Sequence, residues 1–266
     1  APPSTGDALA GSPRGPLAGV TVTISASGRE RHLDSRNVLG VVPGSDPALG
    51  GELVMIGAHL DPLGRVGDVI FPGADDNASG VAALLEIAKA FAASPVRPRR
   101  TVAFAFWTGE EEGKFGSGHY VRHPLWPLER TVYLNLDMIG HPWLPEEIAK
   151  LVADTGLSEG GELLTGMAPA EFIELGLPAG LPELDAARRR AARATGRALH
   201  LDRTDGRFGG SDYRDFARAG VPFIRFFGNF FPDYHEPGDT ADALDAAQVQ
   251  RVARLALATA WLLADR

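Results

Sequence analysis

The 266-residue chain contains no cysteine. That excludes disulfides and a thiolate nucleophile, and it leaves His, Asp and Glu as the side chains able to hold a zinc ion. The missing staple costs nothing structurally, because a chain this long buries a sizeable core by itself. Lysine is nearly absent, with 3 Lys against 23 Arg, and acids exceed bases to give a net charge of −8 and a pI near 5.4. Nucleic-acid binders usually present a basic face, so that class is disfavoured. The densest basic cluster, Arg188, Arg189 and Arg190 with Arg193 and Arg197, reads as the solvated face of a helix. No apolar run is long enough to span a membrane.

Residues 1–19 are rich in Pro, Gly, Ser and Ala and read as a flexible tail or linker, leaving 20–266 as one catalytic domain. The chain opens on Ala1 rather than Met. That points to a processed or trimmed product and to a secreted or periplasmic protein, with a removed signal peptide and a preceding domain both open.

Periodicity places strands over residues 20–25, 37–42, 53–56, 101–107, 131–136 and 221–227. The run 101–107 is almost continuously apolar, as expected of a strand buried on both faces. Helical spacing covers 78–93, 116–122, 183–197, 211–219 and 245–264. Such alternation predicts a three-layer α/β/α fold around a mixed, mostly parallel sheet. The stretch 141–182 shows no clear pattern and reads as loop-rich, able to shape a substrate pocket.

In sheets of this kind, functional groups gather at the carboxyl ends of strands. His59, Glu110, Glu111 and Asp137 all fall at such ends. His59 stands two residues before Asp61, which could orient it as a carboxylate orients a metal-bound imidazole. Asp75 and Asp76 precede a helix, where Asp76 or Asn77 could simply cap it, but a carboxylate there could also bridge two cations. The run Glu110, Glu111, Glu112 would repel itself if buried and ionised, unless a cation offsets the charge. Asp137 is an acid in an apolar context and needs a partner. His235 lies in a turn beside Tyr234, with Asp239 able either to orient it or to cap the next segment. Jointly, His59, Asp76, one of Glu110 and Glu111, Asp137 and His235 can satisfy two zinc ions, a site that activates water and polarises a carbonyl.

The segments GAHLD, PGADDNASG, WTGEEEGKFGS, NLDMIG, GGSD and DYHEPGDT occur in an order that resembles the di-zinc aminopeptidases of peptidase family M28, a family that also holds glutamate carboxypeptidase-type enzymes. They cover roughly residues 37–140 and 204–245. The resemblance implies a zinc-exopeptidase-like fold, two Zn2+ per chain, and peptide or protein N-termini as substrate. It implies His59 and Asp137 on one zinc, Glu111 and His235 on the other, and Asp76 between them. Glu110 would be the general base toward the metal-bridging water, Asp61 would orient His59, and Tyr234 would donate to the oxyanion. In the family a Gly-Ser pair follows the metal-binding Glu at a fixed distance, so the resemblance, anchored on Gly116 and Ser117, implies Glu111 rather than Glu112. The GGSD segment departs from many relatives in continuing as Tyr213-Arg214 rather than with His, which touches specificity rather than the ligands. Arg207 falls near the family's pocket region, and the strand at 20–25 resembles a re-entry after a preceding or inserted domain. A carboxypeptidase, a glutaminyl-cyclase-like acyl transferase and a non-catalytic binding module are the alternatives on this fold. The intact ligand and base positions speak against the last two.

Overall fold

The computed structural model describes residues 21, 23–28, 32–155, 172–196 and 198–266. The chain divides into two units, Ala1–Asp34 and Ser35–Arg266. In the first, the expected strand at 20–25 is not formed among its described residues. Ile24 is 85% exposed, so its alternating side chains have no apolar layer to face. The tail expected over 1–19 lies outside the described residues.

The second unit is built on a seven-stranded sheet. Its strands are β1 (Val38–Val42), β2 (Leu53–His59), β5 (Thr101–Trp107), β6 (Thr131–Asp137), β7 (Phe172–Leu177), β8 (Ala198–Arg203) and β9 (Phe223–Phe227), in the order β1-β5-β2-β6-β9-β7-β8. The β2/β5, β2/β6, β6/β9 and β7/β8 pairings are parallel, while β1/β5 and β7/β9 are antiparallel. A separate hairpin joins β3 (Gly64–Val66) to β4 (Val69–Phe71). The helices are α1 (Gly80–Ala93), α2 (Phe115–Arg122), α3 (Pro145–Thr155), α4 (Pro182–Thr195), α5 (Tyr213–Arg218) and α6 (Ala246–Ala264).

Two cores flank the sheet because alternate strand residues point to opposite faces. Val54, Ile56, Leu134, Leu136, Ile224 and Phe226 pack against α1, α4 and α6. Phe91 of α1 stacks on Trp261 of α6, with ring centroids 5.4 Å apart. On the other face Leu53, Met55, Trp107, Tyr133 and Phe223 meet α2 and α5. There the Tyr133 and Phe216 rings stack at 3.9 Å. Aromatic pairs of this kind contribute about 0.5–1.5 kcal/mol beyond their buried area. By the same alternation His59, Asn135, Asp137, Arg225 and Phe227 belong to the α2/α5 face, at the carboxyl ends of their strands.

Three expectations need correction. The stretch 141–182 is not merely loop: it carries α3 and the fully buried strand β7. Glu174 interrupts the apolar pattern of β7, but its charge is met by Arg225 from β9, a partner no local reading can see. The strand at 53–56 runs on through His59, so that residue is part of the ladder, level with Trp107. The arginine cluster is not wholly solvated. Arg188 is buried and bonds Asp185 one turn earlier, while Arg189 and Arg190 are exposed.

Candidate metal centre

β2 and β6 are adjacent parallel strands, so their ends bring His59 and Asp137 side by side. His59 Nε2 lies 3.3 Å from Asp137 Oδ1 and 3.2 Å from Asp76 Oδ1. Asp76 arrives on a kinked turn, Ala74–Ser79, ahead of α1, with non-helical backbone at Asp76 and Asn77, and its peptide bond to Asn77 is cis. Asn77 caps α1, its Oδ1 accepting from the Gly80 N–H at 3.1 Å, which leaves Asp76 directed into the site. From the loop after β9, His235 Nε2 stands 3.1 Å from Asp76 Oδ2 and 3.3 Å from Glu111 Oε2. Thus His59, Asp76 and Asp137 form one group of possible ligand atoms and Asp76, Glu111 and His235 a second, with Asp76 common to both. Glu112 is exposed and outside both groups.

The arrangement suits divalent cations. His59 Nδ1 sits 3.0 Å from the Asp61 carbonyl oxygen, a bond that places the ring proton there and turns the Nε2 lone pair toward two carboxylates. Lone pairs and carboxylates packed this closely repel one another unless a cation lies between them. Glu111 Oε1 is buried with no hydrogen-bond partner among the described residues. The donor set of two imidazoles and three carboxylates matches zinc.

Without metal the charges strain against burial. Burial, reinforced by the Asp76 charge, pushes Glu111 up to about 8. Asp76 and Glu110 are raised as well, chiefly by burial. Burial tends to lower His59, but the Asp137 charge and the hydrogen bonds to Asp137 and Asp76 lift it well above its ordinary value. Asp137 moves the other way: burial would raise it, but His59 holds it below the usual range.

Glu110 is buried beside these groups, with Lys114 Nζ 2.8 Å from its Oε1. Asp61 touches His59 through its backbone. Its carboxylate stands 3.9 Å from His59 Nδ1, too far for a hydrogen bond, and the orienting partner is its backbone carbonyl. The Asp61 carboxylate instead accepts the backbone N–H groups of Glu110 and Glu111, each at 3.2 Å, and so fixes the turn that presents both. Tyr234 stacks on His235 at 3.9 Å. Burial and the nearby carboxylates push its phenol to about 12, so it stays a donor at neutral pH. Asp239 bonds backbone rather than His235: its carboxylate accepts from the N–H groups of Asp75 and Asp76. Among the described residues the non-glycine positions with left-handed φ are Lys114, Met138 and His235. Each is, or adjoins, a residue of the site, where local backbone strain tends to gather.

Beside Asp137 and Tyr234 a cavity of about 140 Å³ opens, walled by Met138, Tyr213, Phe227 and Phe230, with Arg225 among its lining residues. Arg207 is not one of them; its N–H bonds Asp205 in an exposed loop. Sequence reasoning missed Arg225, Lys114 and Asp212. Asp212 is fully buried near His59, Glu110 and Asp137, and burial pushes its carboxyl up to about 7. Two signals were within reach: the Glu110–Lys114 spacing of four residues and the place of Asp212 in the GGSD segment.

The chain is similar in sequence and fold to known proteins. The family model for Peptidase family M28 matches residues 37–260. The probable lipoprotein aminopeptidase LpqL of Mycobacterium tuberculosis is 31% identical over 256 residues, 87% of this chain and 46% of that protein. BSAP, a zinc aminopeptidase from Bacillus subtilis, superposes with a TM-score of 0.61 at 26% identity, covering 84% of this chain and 48% of that one. An Acidobacteriales bacterium glutaminyl cyclase gives a TM-score of 0.60 at 20% identity over 86% of this chain and 73% of its own, a likeness of fold alone. The chain spans about half the length of the two aminopeptidase relatives. No helix among the described residues is long and apolar enough to cross a membrane. With the family match running from the first strand of the sheet into the last helix, the chain belongs to Peptidase family M28.

Proposed function

We propose that this chain is the catalytic part of a di-zinc aminopeptidase that releases N-terminal residues from peptides. The observation that carries the reading is the sharing of Asp76: its two oxygens face His59 and His235 separately, and each histidine has a further carboxylate, Asp137 or Glu111, at its side. His59, Asp76 and Asp137 would hold one zinc, and Asp76, Glu111 and His235 the other. Bound there, zinc lowers the pKa of water and polarises the scissile carbonyl.

The rest of the chemistry falls to the chain. Glu110 takes a proton from the attacking water and returns it to the leaving amine. Its turn is pinned by Asp61, and Lys114 favours its ionised form between transfers. The Tyr234 phenol, protonated at working pH, donates to the oxygen that gains charge as the carbonyl is attacked. The cavity beside Asp137 receives the side chain of the residue being released. The ring of carboxylates draws in the substrate's free α-ammonium. The name of the mycobacterial relative supports an extracytoplasmic setting.

The test is hydrolysis of an aminoacyl-nitroanilide panel by the zinc-loaded protein, beside the same substrates with blocked N-termini. Cleavage confined to free N-termini supports the reading. Cleavage only of blocked peptides at their C-termini, or cyclisation of N-terminal Gln in place of hydrolysis, would sink it.

A further inference from the structure

His119 and His123, at the end of α2, belong to neither group of candidate zinc ligands. They stand four residues apart, a spacing that sets two side chains on one stripe of a helix, one turn above the other. His123 caps the helix, and its N–H donates to the His119 carbonyl at 3.0 Å, so the turn that carries the pair is closed. The helix itself is anchored by Tyr120, buried with its ring 5.4 Å from that of Trp107 and 6.0 Å from that of Phe216. Both imidazoles are exposed. Arg122, between them in sequence, lies on another stripe. Its guanidinium covers Gly118, where a Cβ would stand 3.3 Å from Arg122 Nη1 and 2.8 Å from the Asp215 carboxylate. The two imidazole centroids are 4.8 Å apart, with their planes inclined at 43°. A zinc–nitrogen bond is about 2.0–2.1 Å and a ring nitrogen lies about 1.1 Å from its centroid, so two imidazoles on one ion have centroids about 5.2 Å apart at a tetrahedral angle and about 4.5 Å apart at a right angle. The observed separation falls between those two.

We propose that His119 and His123 together chelate one divalent ion of the zinc, nickel and copper class, a third site in addition to the candidate zinc pair. Imidazole suits all three ions, and copper takes such donors most tightly. Two histidines at the same spacing on one helix face hold zinc in HExxH sites. Affinity comes from joining the donors. Once one imidazole is bound the other is already within reach, which raises affinity over a single imidazole by about 10²-fold or more. Two protein ligands leave the remaining coordination positions to solvent, so this ion binds more weakly than one held by three side chains.

The experiment adds copper to the zinc-loaded protein and to its His119→Ala and His123→Ala variants. Calorimetry reads affinity and stoichiometry, EPR reads the nitrogen donors, and released zinc is measured alongside. Wild type should take up one copper per chain, keep its zinc, and show two nitrogen donors on the copper. Each variant should lose about 10²-fold in copper affinity. Both side chains are exposed, so the variants should fold and hydrolyse peptides as wild type does. The difference between wild type and variants is read whether or not the protein cleaves peptides, so failure of the aminopeptidase reading leaves this site standing. No copper taken up by wild type, copper bound only as zinc is released, or affinities equal within about threefold in wild type and both variants would overturn the site and leave a ring contact alone.

Discussion

The Asp239 carboxylate accepts the backbone N–H of Asp76 at 3.1 Å. It also accepts that of Asp75 at 2.8 Å, and all of these groups are buried. Asp239 lies four residues after His235, so one loop both supplies a candidate ligand and clamps the turn that presents the shared carboxylate. Two hydrogen bonds to Asp239 thereby tie the segment that carries His235 to the turn that carries Asp76.

Removing that clamp tests its role. Asp239→Ala leaves two buried N–H groups without an acceptor, which costs about 1–3 kcal/mol for each. Because Asp76 then loses its fixed position, metal affinity should fall about 10–100-fold, as when other supporting contacts around a metal are removed. Chelator competition reads the affinity and urea unfolding reads the stability. Asp239→Asn, which keeps one accepting oxygen, should fall between wild type and Asp239→Ala. Equal metal affinity in Asp239→Ala and wild type would remove the positioning role.

Glu110→Gln should lower kcat about 10²–10⁴-fold, the range for loss of a general acid–base group. Metal content should stay unchanged, since Glu110 belongs to neither ligand group. Lys114→Met gives a subtler readout. Lys114 lowers the Glu110 pKa against the rise due to burial, so without it the base protonates more readily. The acid limb of the pH–rate profile should therefore move to higher pH. A profile that stays in place, or moves down, would exclude Glu110 as the titrating base.

Much of this molecule can be read from local pattern. Residues 101–107 form a strand with the expected limits, and 245–264 a helix to within one residue, because each buries a face whose period shows in the sequence. The candidate ligands were legible for a related reason: a histidine or acid placed directly after an apolar strand has few structural uses. What stayed hidden depends on partners far along the chain. β7 reads poorly because Glu174 breaks its apolar run, and its charge is met by Arg225, 51 residues away. Asp61 shows the same limit at the site. Its place beside His59 suggested a carboxylate–imidazole contact, yet the carboxylate turns to the backbone of Glu110 and Glu111, 49 and 50 residues on.

A buried polar chain links the core to the site and should be fragile. Trp107 Nε1 donates to Tyr133 Oη at 2.9 Å, Tyr133 Oη donates to Asn135 Oδ1 at 2.9 Å, and Asn135 Nδ2 donates to Ser211 Oγ at 2.9 Å. Ser211 in turn bonds Asp137. Gly57 permits the first link, since a Cβ there would collide with both Tyr133 Oη and Trp107 Nε1. Tyr133→Phe strands the Trp107 donor and the Asn135 acceptor and should cost about 1–3 kcal/mol per stranded group. Gly57→Ala should cost about 1–3 kcal/mol by overpacking. Urea denaturation checks both, and a loss within about 0.5 kcal/mol, the range of ordinary surface changes, would show that the chain relaxes around the lesion.

Removal of metal should make stability depend on pH in a direction opposite to ordinary acid denaturation. Glu111 and Asp212 stand at about 8 and about 7 in the folded protein, against ordinary values of 4.5 and 3.8. Asp76, Glu110 and His59 are raised too. A group whose folded pKa is raised gives stability that is fully present below its unfolded value and lost as pH rises through the folded one. The metal-free protein should therefore weaken steadily between about pH 4 and about pH 8. Asp137, lowered by His59, has the opposite sign, but its stabilisation is already present above its ordinary value of 3.8 and is lost only below it, so it leaves the trend from about pH 4 to about pH 8 in place. In a domain of this size each kcal/mol lost lowers Tm by about 2–4 °C, so the trend is measurable by calorimetry after chelation. Zinc displaces the protons these carboxylates would otherwise bind, and its stabilisation should accordingly be largest at the alkaline end and fade on acidification. A chelated protein whose Tm rises from pH 5 to pH 8, or a zinc effect that does not change with pH, would contradict a site assembled from these carboxylates.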